Sequence, residues 1–255
     1  MQQEQWRTRR GGVETGLRTF AVWAAVRGLV DQQQADLGRP LRVLDLGGGT
    51  GGLAVPLAEL GHDVTVVDPS PDALASLSRR SAERGVADRV TAVQGDADGL
   101  TGIVGEGSCD LVCCHGTLEV VDDPQSALAS LAAVLAPGGH LSLVAAGRLA
   151  VVLARALAGQ FAAAHEVLVS PDGRWGRADP LPRRFDTDAL RSMVEQVGLT
   201  VVDLHGTRIF SDLVPSALLD TETDRAALLQ LEEAASRHPG GLGQLGAAVH
   251  VLARR

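Results

Sequence analysis

Asp45 lies at the start of a turn of glycines, an arrangement that could hold a charged, nucleotide-like ligand. The turn follows the apolar run 41–46, and its glycines are Gly47, Gly48, Gly49, Gly51 and Gly52. Backbone without Cβ atoms can adopt positive φ angles and lets a ligand approach closely. Residues 53–60 have the composition of a helix. Strand, glycine turn and helix in this order predict a nucleotide-binding cradle.

Two kinds of cofactor fit this cradle. Gly47, Gly49 and Gly52 satisfy the spacing of the dinucleotide fingerprint, and Asp68 lies near the position of its ribose-binding acid. That pattern alone allows NAD. Asp45 favours S-adenosylmethionine instead, because its carboxylate would repel a pyrophosphate and attract the ammonium group of a methionine moiety.

Two later turns are candidates for holding a nucleoside. Asp68 ends the second predicted strand and could accept two hydrogen bonds from a vicinal diol, although an acid here also suits the N-cap of the next helix. Ala97 and Asp98 follow the third predicted strand, where they would flank an adenine. A plain Asx turn is the alternative for Asp98.

The elements that must position these residues alternate between strand-like and helix-like segments. The pattern predicts strands over 41–46, 62–68, 89–94, 109–114, 140–146, 199–204 and 247–253. It predicts helices over 13–34, 53–60, 72–84, 124–135, 149–161, 186–196 and 225–236. This rhythm indicates an α/β fold with a doubly wound, mostly parallel, seven-stranded sheet.

The predicted organisation is a single domain with two additions. Residues 1–12 are polar and Arg-rich and are expected to form a mobile arm, with the domain spanning 13–255. Regularity is lost over 147–184, and the stretch 170–184 is rich in Gly, Pro and Arg. Long loops of this kind are more often functional than neutral, so we expect a lid or substrate-binding insertion here.

Composition limits the possible partners. The 255 residues carry a net charge of −8, which argues against broad, non-specific binding to nucleic acid or an anionic membrane but allows a local basic patch. Cys109, Cys113 and Cys114 lack CxxC spacing, so neither a disulfide framework nor a metal site is expected. The chain has no membrane-length apolar run and no signal-peptide core, so we expect a soluble cytoplasmic protein.

The motifs together resemble those of the class I S-adenosylmethionine-dependent methyltransferases. The glycine turn, the acid at Asp68 and the turn Pro137-Gly138-Gly139 leading into the fifth strand stand in the order typical of that family. The resemblance implies that S-adenosylmethionine is the cofactor. It also implies that Asp68 holds the ribose hydroxyls.

A narrower resemblance covers most of the chain after residue 10. Several segments look like those of the bacterial tRNA 5-carboxymethoxyuridine methyltransferases, namely 13–18 with Trp23, 114–124, 159–161, 206–212, 245–246 and His250. That family esterifies the carboxylate of a wobble uridine in the tRNA anticodon loop. The resemblance implies that Arg18 and His115 contact the cofactor, Arg18 through the cofactor carboxylate. A carboxylate acceptor is already ionised at pH 7, and a bidentate Arg would hold it best, with Arg208 the first candidate and an Arg of the 174–184 loop the second.

Each of these residues also has a simpler structural interpretation. Arg18 could lie on a solvated helix face, His115 could cap a turn, and Arg208 could form a surface ion pair. The loop arginines Arg174, Arg177, Arg183 and Arg184 could simply be solvated. Trp175 could stack on a base or fill an apolar gap.

Departures from the family pattern leave other functions open. The chain has no Tyr, and its loop carries Arg and Pro where relatives are Lys-rich. A methyltransferase for a small acid, phenol or amine is the main alternative, with His115 the base or orienting group for a phenol or amine. A nicotinamide oxidoreductase and a non-catalytic cofactor-binding protein are further alternatives.

Overall fold

In the part of the chain that the structure describes, the sheet has seven strands, as the sequence predicts. The structure is a computed structural model that describes residues 21–255. Its strands are β1 (Arg42–Leu46), β2 (Asp63–Asp68), β3 (Val90–Gln94), β4 (Cys109–His115), β5 (Leu135–Ala146), β6 (Thr200–Thr207) and β7 (Ala248–Arg254). They lie in the order β3-β2-β1-β4-β5-β7-β6. All neighbouring pairs are parallel except those of β7, which is antiparallel to both β5 and β6.

Helices connect the strands and cover both faces of the sheet. The described part of the first helix, α1, spans 21–37. The others are α2 (Ala54–Glu59), α3 (Pro71–Glu83), α4 (Leu100–Val104), α5 (Pro124–Val134), α6 (Arg148–Leu157), α7 (Phe161–Val169), α8 (Thr187–Gln196) and α9 (Glu222–Ser236). None of these helices is long and apolar enough to cross a bilayer.

Alternating side chains of the strands divide the core between the two faces. On β1, Leu44 and Leu46 belong to one cluster of buried apolar residues, while Val43 belongs to the other. The same alternation on β4 sends Val112 to the first cluster and Leu111 to the second. A strand buried on both faces reads as a continuous apolar run, which explains why these central strands are clear in the sequence.

The insertion after β5 differs from the predicted single helix over 149–161. Gly159 adopts a φ of +71° just after α6, a conformation that ends helices and that glycine tolerates best. The chain then starts a separate helix, α7, which the sequence interpretation missed because both helices belong to one apolar stretch. The loop 170–184 follows without helix or strand, as predicted.

The start of the fifth strand also differs from the prediction. Strand β5 begins at Leu135 rather than 140, and it pairs with β4 through a register shift between Cys109 and Leu111. The Pro137-Gly138-Gly139 turn therefore lies within the strand as an irregularity. The predicted arm 1–12, the start of the first helix and Arg18 lie outside the described residues.

Candidate functional site

The candidate residues gather at one edge of the sheet. Strands β1, β2, β4, β5 and β6 run in the same direction, so their carboxyl ends meet there. The glycine turn follows β1, Asp68 ends β2, His115 ends β4 and Arg208 follows β6. This edge is where open α/β sheets bind their ligands.

At several of its glycines, the turn approaches its neighbours too closely for a side chain. A Cβ on Gly48 would lie 2.5 Å from Asp45 Oδ2, and a Cβ on Gly47 would overlap the side chain of Thr117. Gly47 has a φ of +72° and donates its N–H to Val67 O at 2.7 Å. The turn is thus a cradle of bare backbone held against two strands.

Asp45 is a buried acid with an unsatisfied oxygen. Its side chain is 3% exposed, and within residues 21–255 its Oδ2 has no hydrogen-bond partner. Burial, and then the nearby charge of Asp68, raise the pKa of Asp45 to about 7. An orphaned buried carboxyl beside the bare turn suits a cationic group of a ligand, such as the ammonium of S-adenosylmethionine.

Asp68 is fixed by backbone donors on both of its oxygens. Oδ2 accepts from Gly49 N at 2.9 Å and Oδ1 accepts from Ser70 N at 2.9 Å. Ser70, not Asp68, caps α3 by accepting from Ala73 N. Each carboxylate oxygen keeps a second lone pair, so Asp68 is a preorganised acceptor for a diol.

The proposed adenine turn contains a buried and an exposed residue. Ala97 is buried and begins a short 3₁₀ turn, Ala97–Gly99, whereas Asp98, the second residue of that turn, is exposed. The Asx turn considered for Asp98 is formed by Asp96, whose Oδ1 accepts from Asp98 N at 3.0 Å. The side chain of Asp98 is therefore not used to hold the turn.

His115 contacts the adjacent strand rather than capping a turn. Its Nε2 lies 2.8 Å from Ser142 Oγ on β5. Burial lowers the pKa of His115 to about 4, so the ring is neutral at pH 7. A base of such low pKa is weak, and the arrangement fits an orienting group better than a general base.

Arg208 lines a cavity of about 380 Å³ at the same edge. It forms the surface ion pair considered for it, with Nη2 3.3 Å from Asp212 Oδ2. However, in the described part of the chain its Nε is buried without a hydrogen-bond partner. Arg155, Arg184 and Trp175 also line the cavity. Such a concentration of guanidinium groups with an aromatic ring suits a planar, anionic ligand.

The backbone at Arg208 is held in an unusual conformation. Among residues 21–255, Arg208 is the one non-glycine residue with a positive φ, +57°. The Glu232 carboxylate fixes this turn by accepting hydrogen bonds from the N–H groups of Ile209, Phe210 and Ser211. The backbone just before the turn is also tightly packed, because a Cβ on Gly206 would overlap the Gly243 carbonyl. Strain of this kind persists where the surroundings impose it, and it concentrates at functional sites.

The loop arginines are mostly engaged by the protein itself. Arg184 is buried and bonds bidentately to Asp179, at 2.6 and 2.9 Å. Arg183 donates to the carbonyls of Leu118, Val121 and Asp122. Only Arg177 of the four is an exposed side chain as the solvated interpretation requires. The loop therefore forms a wall anchored to the segment after β4.

Trp175 fills the inner side of this wall. The guanidinium of Arg155 lies 3.7 Å from the centre of its ring, and that of Arg184 lies 4.7 Å away. Its ring thus joins α6 to the loop, closer to the gap-filling interpretation than to an open stacking platform.

Three important residues were missed by the sequence interpretation. Thr117 Oγ1 donates to Leu46 O and packs on the glycine turn. Glu119, which is buried, accepts from Ala146 N at 2.6 Å and so links the loop after β4 to the end of β5. Glu232 organises the Arg208 turn from α9. None has a local signal, because each acts on a segment distant in the chain.

Comparisons with known proteins agree with this geometry. Residues 43–139 match a protein family described as "Methyltransferase domain". The tRNA 5-carboxymethoxyuridine methyltransferases of Escherichia coli O157:H7 and K12 are 30% identical over 246 residues, 96% of this chain and 90% of theirs.

Solved structures show the same fold. A Mesorhizobium loti S-adenosylmethionine-dependent methyltransferase superposes with a TM-score of 0.58 at 21% identity, covering 85% of this chain and 91% of that one. The magnesium protoporphyrin IX methyltransferase of Synechocystis PCC 6803, solved with S-adenosylhomocysteine, gives 0.57 at 18% identity, covering 91% and 83%. The seven-stranded class I methyltransferase fold is confirmed.

Proposed function

This chain belongs to the family of the tRNA 5-carboxymethoxyuridine methyltransferases, which use S-adenosylmethionine, and from that premise we propose that it methylates the carboxylate of a 5-carboxymethoxyuridine at the wobble position of tRNA. The family membership makes it an enzyme and fixes its cofactor. The proposal concerns the acceptor and the residues that hold it.

The observation that carries the proposal is the guanidinium of Arg208. It lines a cavity at the ligand-binding edge, its Nε lacks a partner within the described residues, and its backbone is held at positive φ. A guanidinium offers five donors in a plane, so the ion pair with Asp212 leaves donors for a second carboxylate. An acceptor carboxylate would satisfy these donors bidentately.

The remaining residues of the cavity suit a nucleobase that carries such a carboxylate. The guanidinium of Arg155, which lies 3.7 Å from the centre of the Trp175 ring, provides a flat surface beside Arg208. The acidic chain as a whole repels RNA, so recognition would depend on this local group of arginines. An anticodon-loop base that is flipped out of its stack could enter a cavity of this size.

The proposed reaction requires the protein mainly to position the cofactor and the acceptor carboxylate. When bound, S-adenosylmethionine supplies an electrophilic methyl group. Asp45 would hold the ammonium and Asp68 the ribose diol, while the cavity arginines hold the acceptor. Because the acceptor is ionised at pH 7, the protein contributes orientation and no general base.

Nucleoside analysis tests the proposal directly. We expect tRNA from a strain lacking the gene to accumulate 5-carboxymethoxyuridine and to lose its methyl ester, as measured by mass spectrometry, and the cloned gene to restore the ester. Purified enzyme should methylate tRNA from the deletion strain and release S-adenosylhomocysteine. Unchanged wobble uridine in that strain, or turnover on small acids without RNA, would contradict the proposal.

A further inference from the structure

A row of polar side chains crosses four strands of the sheet. His115 Nε2 on β4 lies 2.8 Å from Ser142 Oγ on β5, which lies 2.9 Å from His250 Nε2 on β7. His250 Nδ1 is 3.4 Å from His205 Nε2 on β6, and His205 Nδ1 is 3.2 Å from Asp203 Oδ2. We call these five residues the histidine row. It connects the cofactor edge at β4 to the outer strand β6.

Strand register explains how distant residues form this row. His115 is paired with Val144, Val144 with His250, and His250 with His205, so the three histidines are at one level of the sheet. Ser142 lies two residues before Val144 and therefore points to the same face. Ser142 and His250 are fully buried, and a buried polar group is costly unless its hydrogen bonds are made.

All three rings are neutral at pH 7. Burial lowers the pKa of His115 to about 4, and it lowers the pKa values of His205 and His250 as well. A neutral imidazole has one donor nitrogen and one acceptor nitrogen. The direction of every hydrogen bond in the row therefore depends on the direction of its neighbours.

The acid at the outer end decides that direction. The Asp203 carboxylate, which also pairs with Arg237 at 3.1 Å, can only accept. Asp203 Oδ2 lies 3.2 Å from His205 Nδ1 without forming a hydrogen bond to it, but a bare lone pair facing a carboxylate oxygen would be repelled, so Nδ1 carries the proton. His205 Nε2 then accepts from His250 Nδ1, and His250 Nε2 accepts from Ser142 Oγ. Ser142 in turn accepts from His115 Nε2.

We propose that Asp203, acting through His205, His250 and Ser142, fixes His115 as the tautomer with a proton on Nε2 and a bare acceptor at Nδ1 that receives a hydrogen bond from the bound cofactor. Asp203 and the intervening residues are positioning residues. Cys114, the neighbour of His115, is paired with Leu46 just before the glycine turn, which places the ring beside the cradle. Within residues 21–255, Nδ1 has no hydrogen-bond partner. The inference uses only the methyltransferase fold and its cofactor, so it stands independently of the tRNA acceptor.

Tautomers can be measured directly in the enzyme without ligands. Proteins labelled with ¹⁵N in histidine distinguish the two tautomers by the shifts of the ring nitrogens in long-range ¹H–¹⁵N spectra. We expect the His115 signals of the wild type to show a protonated Nε2 and an unprotonated Nδ1. Ser142→Ala and Asp203→Ala should move these shifts toward the averaged values of a mixture of tautomers.

A matched control separates this effect from the loss of a surface ion pair. Asp63 pairs with Arg89 at 3.0 Å on β2, much as Asp203 pairs with Arg237, but Asp63 is not in the row. Asp63→Ala should leave the His115 shifts unchanged. A wild-type ring protonated on Nδ1, or an Asp203→Ala protein with wild-type His115 shifts, would overturn the proposal, and the second outcome decides the matter even if Ser142→Ala does not fold.

Cofactor affinity gives a second measurement. Loss of one uncharged hydrogen bond corresponds to about a fivefold change in a dissociation constant. Calorimetry with S-adenosylhomocysteine should therefore show about fivefold weaker binding to Asp203→Ala and unchanged binding to Asp63→Ala. Equal affinities in the two variants would mean that the row serves only folding and would also overturn the proposal.

Discussion

The two ends of the site leave opposite charges unsatisfied. At the cofactor end, bare glycine backbone surrounds Asp45, whose buried Oδ2 lacks a partner in the described chain. At the acceptor end, side chains surround Arg208, whose buried Nε likewise lacks one among the described residues. The first end suits a cation and the second an anion. This difference matches a reaction in which a zwitterionic sulfonium cofactor meets a carboxylate.

The two ends are also built by different means. The cofactor end is one continuous stretch of chain, β1 and its turn, supported by Asp68. The acceptor end combines α6, the loop 170–184, the turn after β6 and, through Glu232, helix α9. We therefore expect substitutions that crowd the glycine turn to weaken cofactor binding and substitutions around the cavity to affect the acceptor alone.

The largest expected effect comes from a methyl group in the cradle. Gly48→Ala places a Cβ 2.5 Å from Asp45 Oδ2, and the neighbouring Val66 allows little retreat. We expect S-adenosylhomocysteine to bind at least about 100-fold more weakly, since the turn must shift from the ligand-binding conformation. Calorimetry measures this.

The same turn supplies the control for that experiment. A Cβ on Gly52 would meet nothing within 4 Å, and the residue does not have a positive φ. Gly52→Ala should bind the cofactor within about twofold of the wild type. Equal losses of cofactor affinity in both variants would show that any side chain in the turn weakens binding, and that the close approach of Gly48 to Asp45 is not the cause.

The next effect tests the acceptor end. Arg208→Lys keeps the charge and the backbone strain but loses the planar fork, so kcat/KM for the acceptor should fall by about 30-fold, or about 2 kcal/mol. Affinity for S-adenosylhomocysteine should not change. Arg177→Lys, at an exposed position of the loop 170–184, should leave both quantities unchanged. A loss of cofactor affinity in Arg208→Lys would contradict the proposal that the acceptor end acts on the acceptor alone.

A different quantity, the pH dependence of stability, is expected to depend on Asp45. Because its pKa is about 7 in the folded protein and 3.8 ordinarily, the folded protein binds more protons between these values. The free energy of unfolding therefore falls as the pH rises from about 4 through 7, by roughly 3 kcal/mol from this group. Asp45→Asn should remove this part of the decline, as measured by urea unfolding at several pH values.

Cofactor binding should depend on pH in the opposite sense. The ionised form of Asp45 attracts an ammonium group, so S-adenosylhomocysteine should bind the wild type more tightly at pH 8 than at pH 6. Asp45→Asn should bind about tenfold more weakly than the wild type at pH 8 and show little change with pH. Wild-type affinity of the Asp45→Asn variant at pH 8 would contradict the proposal that Asp45 binds the ammonium group.

The sequence predicted the sheet well because its central strands are short, mostly apolar and separated by glycine and proline turns. It also predicted Asp45 and Asp68 as ligand-binding acids, and the structure places both at the cradle. It failed where one apolar stretch contains two helices, since periodicity alone does not reveal the break at Gly159. Glu232 and Thr117 were missed because ordinary residue types become important only through distant contacts.

The sequence by itself predicted the cofactor end, because a strand, a glycine turn and an acid after the next strand are close in the chain and form a local pattern. Only the tertiary structure decided the acceptor end and the histidine row. Arg208 reaches the cavity because β6 is parallel to β5 with β7 between them. His115, Ser142, His250 and His205 meet because that strand order aligns side chains up to 135 residues apart in the chain, from 115 to 250. Register across a sheet is a property of strand pairing, and no local pattern encodes it.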